Sequence, residues 1–570
     1  MVCYHVSMYI RQVKRQNKDG SVVTYVQLAH NVRDPRTGTP RAQVLYSFGR
    51  ADQLDVEALK RLAKSIRRFL NPEDALRLQQ EPQHGLRFLA SRPMGGAWVL
   101  NHLWQELGIG RALNDLLTDR AHRGAVERAI FAMVANRALA PASKRQVEQW
   151  VKDQVALPGV EEIPLQQLYR AMDFLLEAHE QLQREVFWSV AHLLNLEVDL
   201  LYLDTTSTYF EIEPETVQDT TEDEQGRPQT LRRWGHSKDD KPLPQVVIGL
   251  AVTRDGIPVR CWVWPGNTAD MSVVEEVKRD LSGWKLGRVI TVVDRGFASE
   301  ENLRVLQRPG GHFIAGEKLR SGKPAVETAL SRRGRYQKIR ENVYVKEIIV
   351  GNGEARQRYV LVFNPEQAKR DRQRRQQLLQ QLRAELAQLR RLKGGPHTKA
   401  VCALRSHPTL GRYLTQTPRG ELRVDMRKVK AEERLDGKYL LRTSDDTLSA
   451  GDVALGYKQL IEVEAAFRTL KNTLDLRPVY HRLDERIRAH VLLCWLALLL
   501  IRVAEIRTEQ TWPTLRRALE RMHLGQFCTP QGMIWQRTET TPDQAAIFRA
   551  LKIPEPPLVL QIDSQAKSSA

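Results

Sequence analysis

Residues 199–211 read DLLYLDTTSTYFE, an apolar run from Leu200 to Leu203 that carries straight into a carboxylate at Asp204. A short apolar stretch rich in strand-forming side chains predicts a buried strand, and ligand-serving residues of α/β sheets gather where such strands end. Taken alone Asp204 also has a structural reading, because aspartate caps turns and helices.

The segments that follow build a sheet around that strand. Residues 244–267, PQVVIGLAVTRDGIPVRCWVWPGN, read as a hairpin turning at Asp255-Gly256. A helical stretch, SVVEEVKRDLSG (272–283), precedes a second buried run, RVITVVDRGFAS (288–299), which ends in Asp294 with turn chemistry at Gly296. A short helix and HFIAGEKL (312–319) come next. A hairpin followed by alternating helix and strand predicts an α/β core with a mixed sheet. Asp294 has its own structural alternatives, an ion pair with Arg295 or a cap on the next helix. Asp270, in the context Asn-Thr-Ala-Asp, reads as a helix N-cap.

A third carboxylate lies far downstream, in GYKQLIEVEAAFRTLK (456–471). Read as one amphipathic helix, this segment puts Tyr457, Leu460, Glu464 and Lys471 on one stripe, with Val463, Ala466, Phe467, Leu470 and Leu474 free to face a sheet. Glu464 then stands at the border of core and cleft. Glu462 competes for the same role, but two residues away it points to another side of the helix.

Outside the core the patterning changes. Residues 1–50 carry strand-like SVVTYVQLAH and AQVLYSFGR about a turn at Asp19-Gly20, with a basic rim of Arg11, Lys14, Arg15 and Lys18, and predict a small antiparallel sheet. Residues 54–80 read as helix, Pro93 to Gly96 as a linker, and 97–195 as an all-α stretch. Residues 320–450 interrupt the core with strand-like ENVYVKEIIV, RQRYVLVFN and KYLLRTS and a very basic helix, 368–393. In that helix Leu379, Leu382, Leu386 and Leu389 stand at heptad spacing; both a solvated helical arm and a DNA-tracking helix fit it.

Composition bounds the partners. The chain has 570 residues, too many for one core, and 87 Lys and Arg against 68 Asp and Glu, a formal charge of +19 that suits a polyanion. The five cysteines are scattered without a CxxC pair, which excludes a zinc-ligand spacing and a disulfide framework. The first residues lack the apolar run of a signal peptide, so a cytoplasmic protein is expected. The longest apolar run, Val491 to Ile501, falls short of the roughly 20 residues that span a bilayer and predicts a buried helix, with no membrane partner.

The three carboxylate segments together resemble the DDE triad of insertion-sequence transposases, in the cut-and-paste group with a Tyr-x2-Arg-x3-Glu-x6-Lys signature. Tyr457, Glu464 and Lys471 match that spacing, while Leu460 stands where the signature has Arg; Arg468 or Lys458 is the available substitute. The resemblance covers about 199–510. It implies an RNase H-like core with Asp204, Asp294 and Glu464 as catalytic, metal-holding residues. It implies two Mg²⁺ ions, with Mn²⁺ as a substitute, about 4 Å apart as phosphodiester transfer needs. It implies DNA as partner, both transposon terminal repeats and target, and a homodimer in the active complex, nucleoid-associated when acting. Tyr457, Lys471, Arg468, His236, Lys238 and Arg295 are the expected DNA contacts. Relatives that form a DNA hairpin stack a Trp from the insertion on a flipped base; this insertion has no Trp, and Tyr336, Tyr344, Tyr359, Tyr413 and Tyr439 are the aromatic alternatives.

The expected plan is therefore a multidomain α/β protein. A small β-rich domain with a helix (1–90) and an all-α, DNA-end-binding domain (91–197) precede the RNase H-like mixed sheet with flanking helices. The core begins at 198–319, is interrupted by a β-rich and helical insertion (320–450), and is completed by the Glu-bearing helix (451–510). A C-terminal helical region (511–570) is assigned to dimerisation. The expected activity is metal-dependent cleavage at transposon ends and strand transfer into target DNA. The alternatives are an RNase H-fold nuclease or resolvase without strand transfer, and a catalytically inactive DNA-binding derivative.

Overall fold

The computed structural model describes residues 8–16, 22–33, 40–69, 87–117, 123–194, 199–211, 230–235, 243–284, 288–308, 310–529 and 532–564. It divides into two compact units. One is formed by residues 1–106, 131–168 and 504–570; the other by 107–130 and 169–503.

In the first unit the expected small sheet is present, with strands Met8–Gln16, Val22–Arg33 and Pro40–Arg50 paired antiparallel in chain order. The Asp19-Gly20 turn and Lys18 lie outside the described residues. Helix Val56–Phe69 follows. The expected linker is instead structured: Arg87–Pro93 is a strand, and Gly95 and Gly96 open the helix Gly95–Glu106. Both glycines serve close packing. A β-carbon at Gly95 would stand 2.5 Å from the Leu519 carbonyl oxygen, and one at Gly96 would stand 2.5 Å from Leu139 Cδ2. The C-terminal segment, expected to be helical, contributes three strands, His523–Thr529, Gly532–Arg537 and Val559–Ser564, which join Arg87–Pro93 in a four-stranded antiparallel sheet. The partner strand lies more than 400 residues earlier in the chain, so no local pattern announces this pairing.

The second unit is built on a nine-stranded mixed sheet. Strands β1 (Leu200–Tyr209), β2 (Gln245–Thr253) and β3 (Pro258–Pro265) pair antiparallel in turn. The β2–β3 turn falls where expected, with Gly256 at φ +75°, a left-handed conformation that glycine takes without steric cost. Strand β4 (Ile290–Val293) runs parallel to β1, and β5 (His312–Glu317) parallel to β4. Helices α1 (Val274–Ser282) and α2 (Glu300–Gln307) supply the crossovers. Their apolar sides and one face of the sheet share a core that includes Leu201, Leu203, Val293, Val277 and Leu303.

The segment after β5 extends the same sheet. Strands β6 (Gln337–Arg340), β7 (Val343–Val350), β8 (Gln357–Phe363) and β9 (Lys438–Thr443) give the order β6-β7-β8-β9-β5-β4-β1-β2-β3. Between β8 and β9 the basic helix α3 (Pro365–Leu389) buries Leu382, Leu386 and Leu389 against Leu404, Leu410 and Tyr413 of its own chain, so its heptad leucines are satisfied internally. The apolar run Val491–Ile501 lies within a helix of 25 residues, Asp484–Thr508, long and apolar enough by composition to cross a membrane but buried along the run inside the protein.

Candidate active site

Strand β1 does not end at Asp204 as expected; it runs on to Tyr209, with Asp204 opposite Leu250 of β2. What stops there is the other ladder. Parallel pairing of β1 with β4 runs from Leu200 opposite Ile290 to Leu203 opposite Val293. The next residues on the two chains are Asp204 and Asp294. Register partners on neighbouring strands project from the same face, so the sheet presents the two carboxylates side by side where β1 and β4 part. Asp294 does not cap the following helix: Ser299 does, its Oγ accepting from the Asn302 amide at 3.1 Å.

Glu464 arrives from the helical segment packed on that face. The single helix expected over 456–471 is two, α4 (Ala450–Lys458) and α5 (Ile461–Asn472). At the junction the backbone tightens, Gln459 N–H donating to Gly456 and Leu460 N–H to Tyr457. The break has side-chain causes: the Tyr202 hydroxyl on β1 donates to Gln459 Oε1 at 2.8 Å, and Leu460 is drawn into the interior. Val463, Ala466, Phe467, Leu470 and Leu474 are buried as the stripe predicts. The two candidate glutamates separate. Glu462 pairs with Arg502, Nη2 to Oε2 at 3.0 Å, whereas Glu464 lines the cavity of the two aspartates.

Asp204, Asp294 and Glu464 in fact line two adjoining cavities, of about 420 and 470 Å³. The first also takes Arg468, Lys471 and Arg477 on its wall; the second takes Arg295, Lys458, Tyr439 and Tyr457. A ring of cations around a carboxylate cluster is suited to a polyanion whose reacting phosphate sits over the acids. Of the expected DNA contacts, Tyr457, Lys471, Arg468 and Arg295 are thus gathered here. His236 and Lys238 lie outside the described residues. Among the insertion tyrosines, Tyr359 and Tyr413 are buried, Tyr336 and Tyr344 face Phe363, and only Tyr439 lines a cavity with the three carboxylates.

Two further residues belong to this wall. Asp270 is not an N-cap: Ala269 and Val273 hold those positions, and Asp270 Oδ1 accepts from the buried Thr205 hydroxyl beside Asp204. Arg477 lies 5.7 Å over the Tyr209 ring. PGNTAD was a visible signal for Asp270; nothing in the sequence marks Arg477.

Hydrogen bonds orient two of the acids. Asp204 Oδ1 accepts from the Thr205 amide at 2.7 Å, and Asp294 Oδ1 accepts from the Tyr457 hydroxyl at 2.9 Å. Burial, and then the Asp294 charge beside it, push the Tyr457 phenol far above its ordinary pKa, so it remains a donor. Among the described residues no three His, Cys, Asp or Glu side chains form a ready-made metal cluster. The donors nevertheless fit a hard divalent cation, being carboxylate oxygens on the wall of one cavity. Glu464 is exposed on a helix, where rotamer changes alone alter its reach.

The family model described as the transposase DDE domain matches residues 213–500, half of the chain and beginning just after Asp204. The model for the IS1634 family transposase N-terminal domain matches residues 10–79. No curated protein is matched by the chain. Among solved structures, a piggyBac transposase synaptic complex with hairpin DNA is similar with a TM-score of 0.34 and 11% identity, over 74% of this chain and 79% of that one.

Proposed function

The chain belongs to the DDE transposases of insertion sequences, and on that premise we propose that Asp204, Asp294 and Glu464 are the acids that hold its divalent cations. It is a DNA transposase whose DDE domain cleaves and rejoins phosphodiesters. The observation that carries the assignment is that an acid on β1, an acid directly after β4 and an acid on a separate helix line one cavity, while Glu462, the competing acid, is taken by Arg502. The core we read as RNase H-like, from its three antiparallel strands followed by two parallel ones across helical crossovers.

Asp204, Asp294 and Glu464 would hold Mg²⁺, or Mn²⁺ in its place, and such an ion would supply Lewis-acid activation of the attacking oxygen and charge stabilisation at the departing one. The chain's own residues do the rest. Asp204 and Asp294 offer their carboxylates where β1 and β4 part, and Glu464 offers its own from the helix. Arg468, Lys471 and Arg477 on one side, with Arg295 and Lys458 on the other, hold the phosphates flanking the cut, and their positive charge offsets the charge that builds on the phosphorus oxygens. Tyr439, which lines a cavity with the acids, is our candidate among the insertion tyrosines to stack on a displaced base, an interaction worth about 1–3 kcal/mol. Cut-and-paste movement requires two transposon ends to be held together, which a two-fold homodimer does with one fold per end.

The experiment is cleavage of a duplex carrying the terminal repeats that flank the gene, comparing the native chain with Glu464→Ala in Mg²⁺ or Mn²⁺. Cutting at the ends that disappears in the variant is the expected result. Equal cutting by both proteins overturns the triad.

A further inference from the structure

The Tyr457 ring is held on three sides. Its hydroxyl donates to Asp294 Oδ1 at 2.9 Å. Tyr439 stacks on it, with ring centroids 6.0 Å apart and planes 29° apart. Beneath it Gly316, in β5, leaves the space the ring occupies: a β-carbon there would overlap the Tyr457 hydroxyl oxygen and stand 2.9 Å from Cζ. A residue that touched only phosphate would need none of this fit on its protein side.

We propose that Tyr457 is a positioning residue for Asp294, gripping Oδ1 so that the other carboxylate oxygen is aimed into the cavity, and that it is not a phosphate contact. A phenol carries one proton. The bond to the Asp294 carboxylate uses it, and a charged acceptor holds such a donor more firmly than a neutral one. Gly316 is the second half of the device, because only a residue without a side chain lets the ring lie on β5 at the height of Asp294. The inference rests on the reading of Asp294 as a cation ligand, and Tyr457 then does what partners of metal-ligating groups do, with losses of about 10–100-fold in metal affinity when they are removed.

The test is a Mn²⁺ titration of the full-length chain bound to a pre-cut duplex end, with free Mn²⁺ followed by electron paramagnetic resonance, alongside duplex affinity measured in EDTA. Tyr457→Phe is expected to weaken Mn²⁺ binding about tenfold or more and to leave metal-free DNA affinity unchanged. Gly316→Ala is expected to do the same, and the double variant to be no worse than either, since both break one link. Thermal melting of each variant separates this from general loss of fold. If Tyr457→Phe weakens DNA binding and leaves Mn²⁺ affinity alone, Tyr457 is a phosphate contact and the proposal is overturned. Asp294→Ala serves as the reference: unchanged Mn²⁺ binding in that variant sinks the cation-ligand reading itself, whereas lost binding there with none lost in Tyr457→Phe sinks only the positioning role.

Discussion

Arg502 Nη2 holds Glu462 Oε2 at 3.0 Å and donates at the same distance to the Asp255 carbonyl in the β2–β3 turn, so the acid two residues before Glu464 is a structural clamp between helix and hairpin. Removing the charge at each position therefore has opposite signatures. Glu464→Gln is expected to lower end cleavage on the order of a thousandfold or more with the melting temperature unchanged. Glu462→Gln is expected to cost about 1 kcal/mol of stability and retain cleavage. Parallel cleavage and denaturation assays decide it, and cleavage lost in Glu462→Gln but kept in Glu464→Gln reverses the assignment.

Asp270 offers a sharper choice, because its two readings differ in kind. An N-cap aspartate replaced by alanine costs about 1 kcal/mol of stability and leaves chemistry alone. The structure gives Asp270 to Thr205, next to Asp204, on the cavity wall. Asp270→Ala is accordingly expected to lower cleavage by about tenfold or more, the scale seen when groups around metal ligands are removed, with little change in melting. A stability loss with full activity would restore the capping role.

How much of this was legible depends on how local each determinant is. The β2–β3 hairpin was readable from apolar runs on either side of Asp255-Gly256, and the separation of Glu462 from Glu464 from helix geometry, because both are set within a few residues; the choice of Glu464 rested on the spacing of the signature. Asp294 was readable as a second acid, although its register beside Asp204 needs the β1–β4 ladder. The extension of the sheet through β9 was not, since β9 pairs with β5 across more than a hundred residues. Neither was the break between α4 and α5, which depends on Tyr202 reaching Gln459 from another element. Glycines that looked like a linker at 95 and 96 were packing residues, and only their neighbours reveal that.

Asp445 ties the end of β9 to the core and makes stability depend on acid. It is fully buried; desolvation alone would raise its pKa, but the Leu448 and Thr447 amides at 2.9 and 2.8 Å, the Thr447 hydroxyl and the Arg288 guanidinium outweigh that and hold it at about 2. A carboxylate lowered on folding contributes stability that is present above its unfolded pKa, near 3.8, and lost as pH falls through the folded one. The contribution is about 2 kcal/mol, and it should fade between about pH 4 and pH 2. Denaturant unfolding across that range is expected to show the loss in the native chain and a flatter profile in Asp445→Asn, which is less stable at pH 7. Identical profiles would mean that Asp445 is already shifted in the unfolded chain.

Arg477 tests whether the cavity wall reads charge or sequence. Its guanidinium lies over Tyr209 while lining the cavity of the three acids, a placement that presents a cation to a phosphate. Phosphate contacts fix register and carry no sequence information, and each one removed lowers the salt dependence of binding by about 0.9 in the slope of log K against log salt. Arg477→Ala is therefore expected to weaken binding equally for a duplex with the terminal repeats and for an unrelated duplex, and to reduce both slopes by about that amount. A loss confined to the terminal-repeat duplex would make Arg477 a reader of bases, and a loss with no change in slope would make it a packing partner of Tyr209 alone.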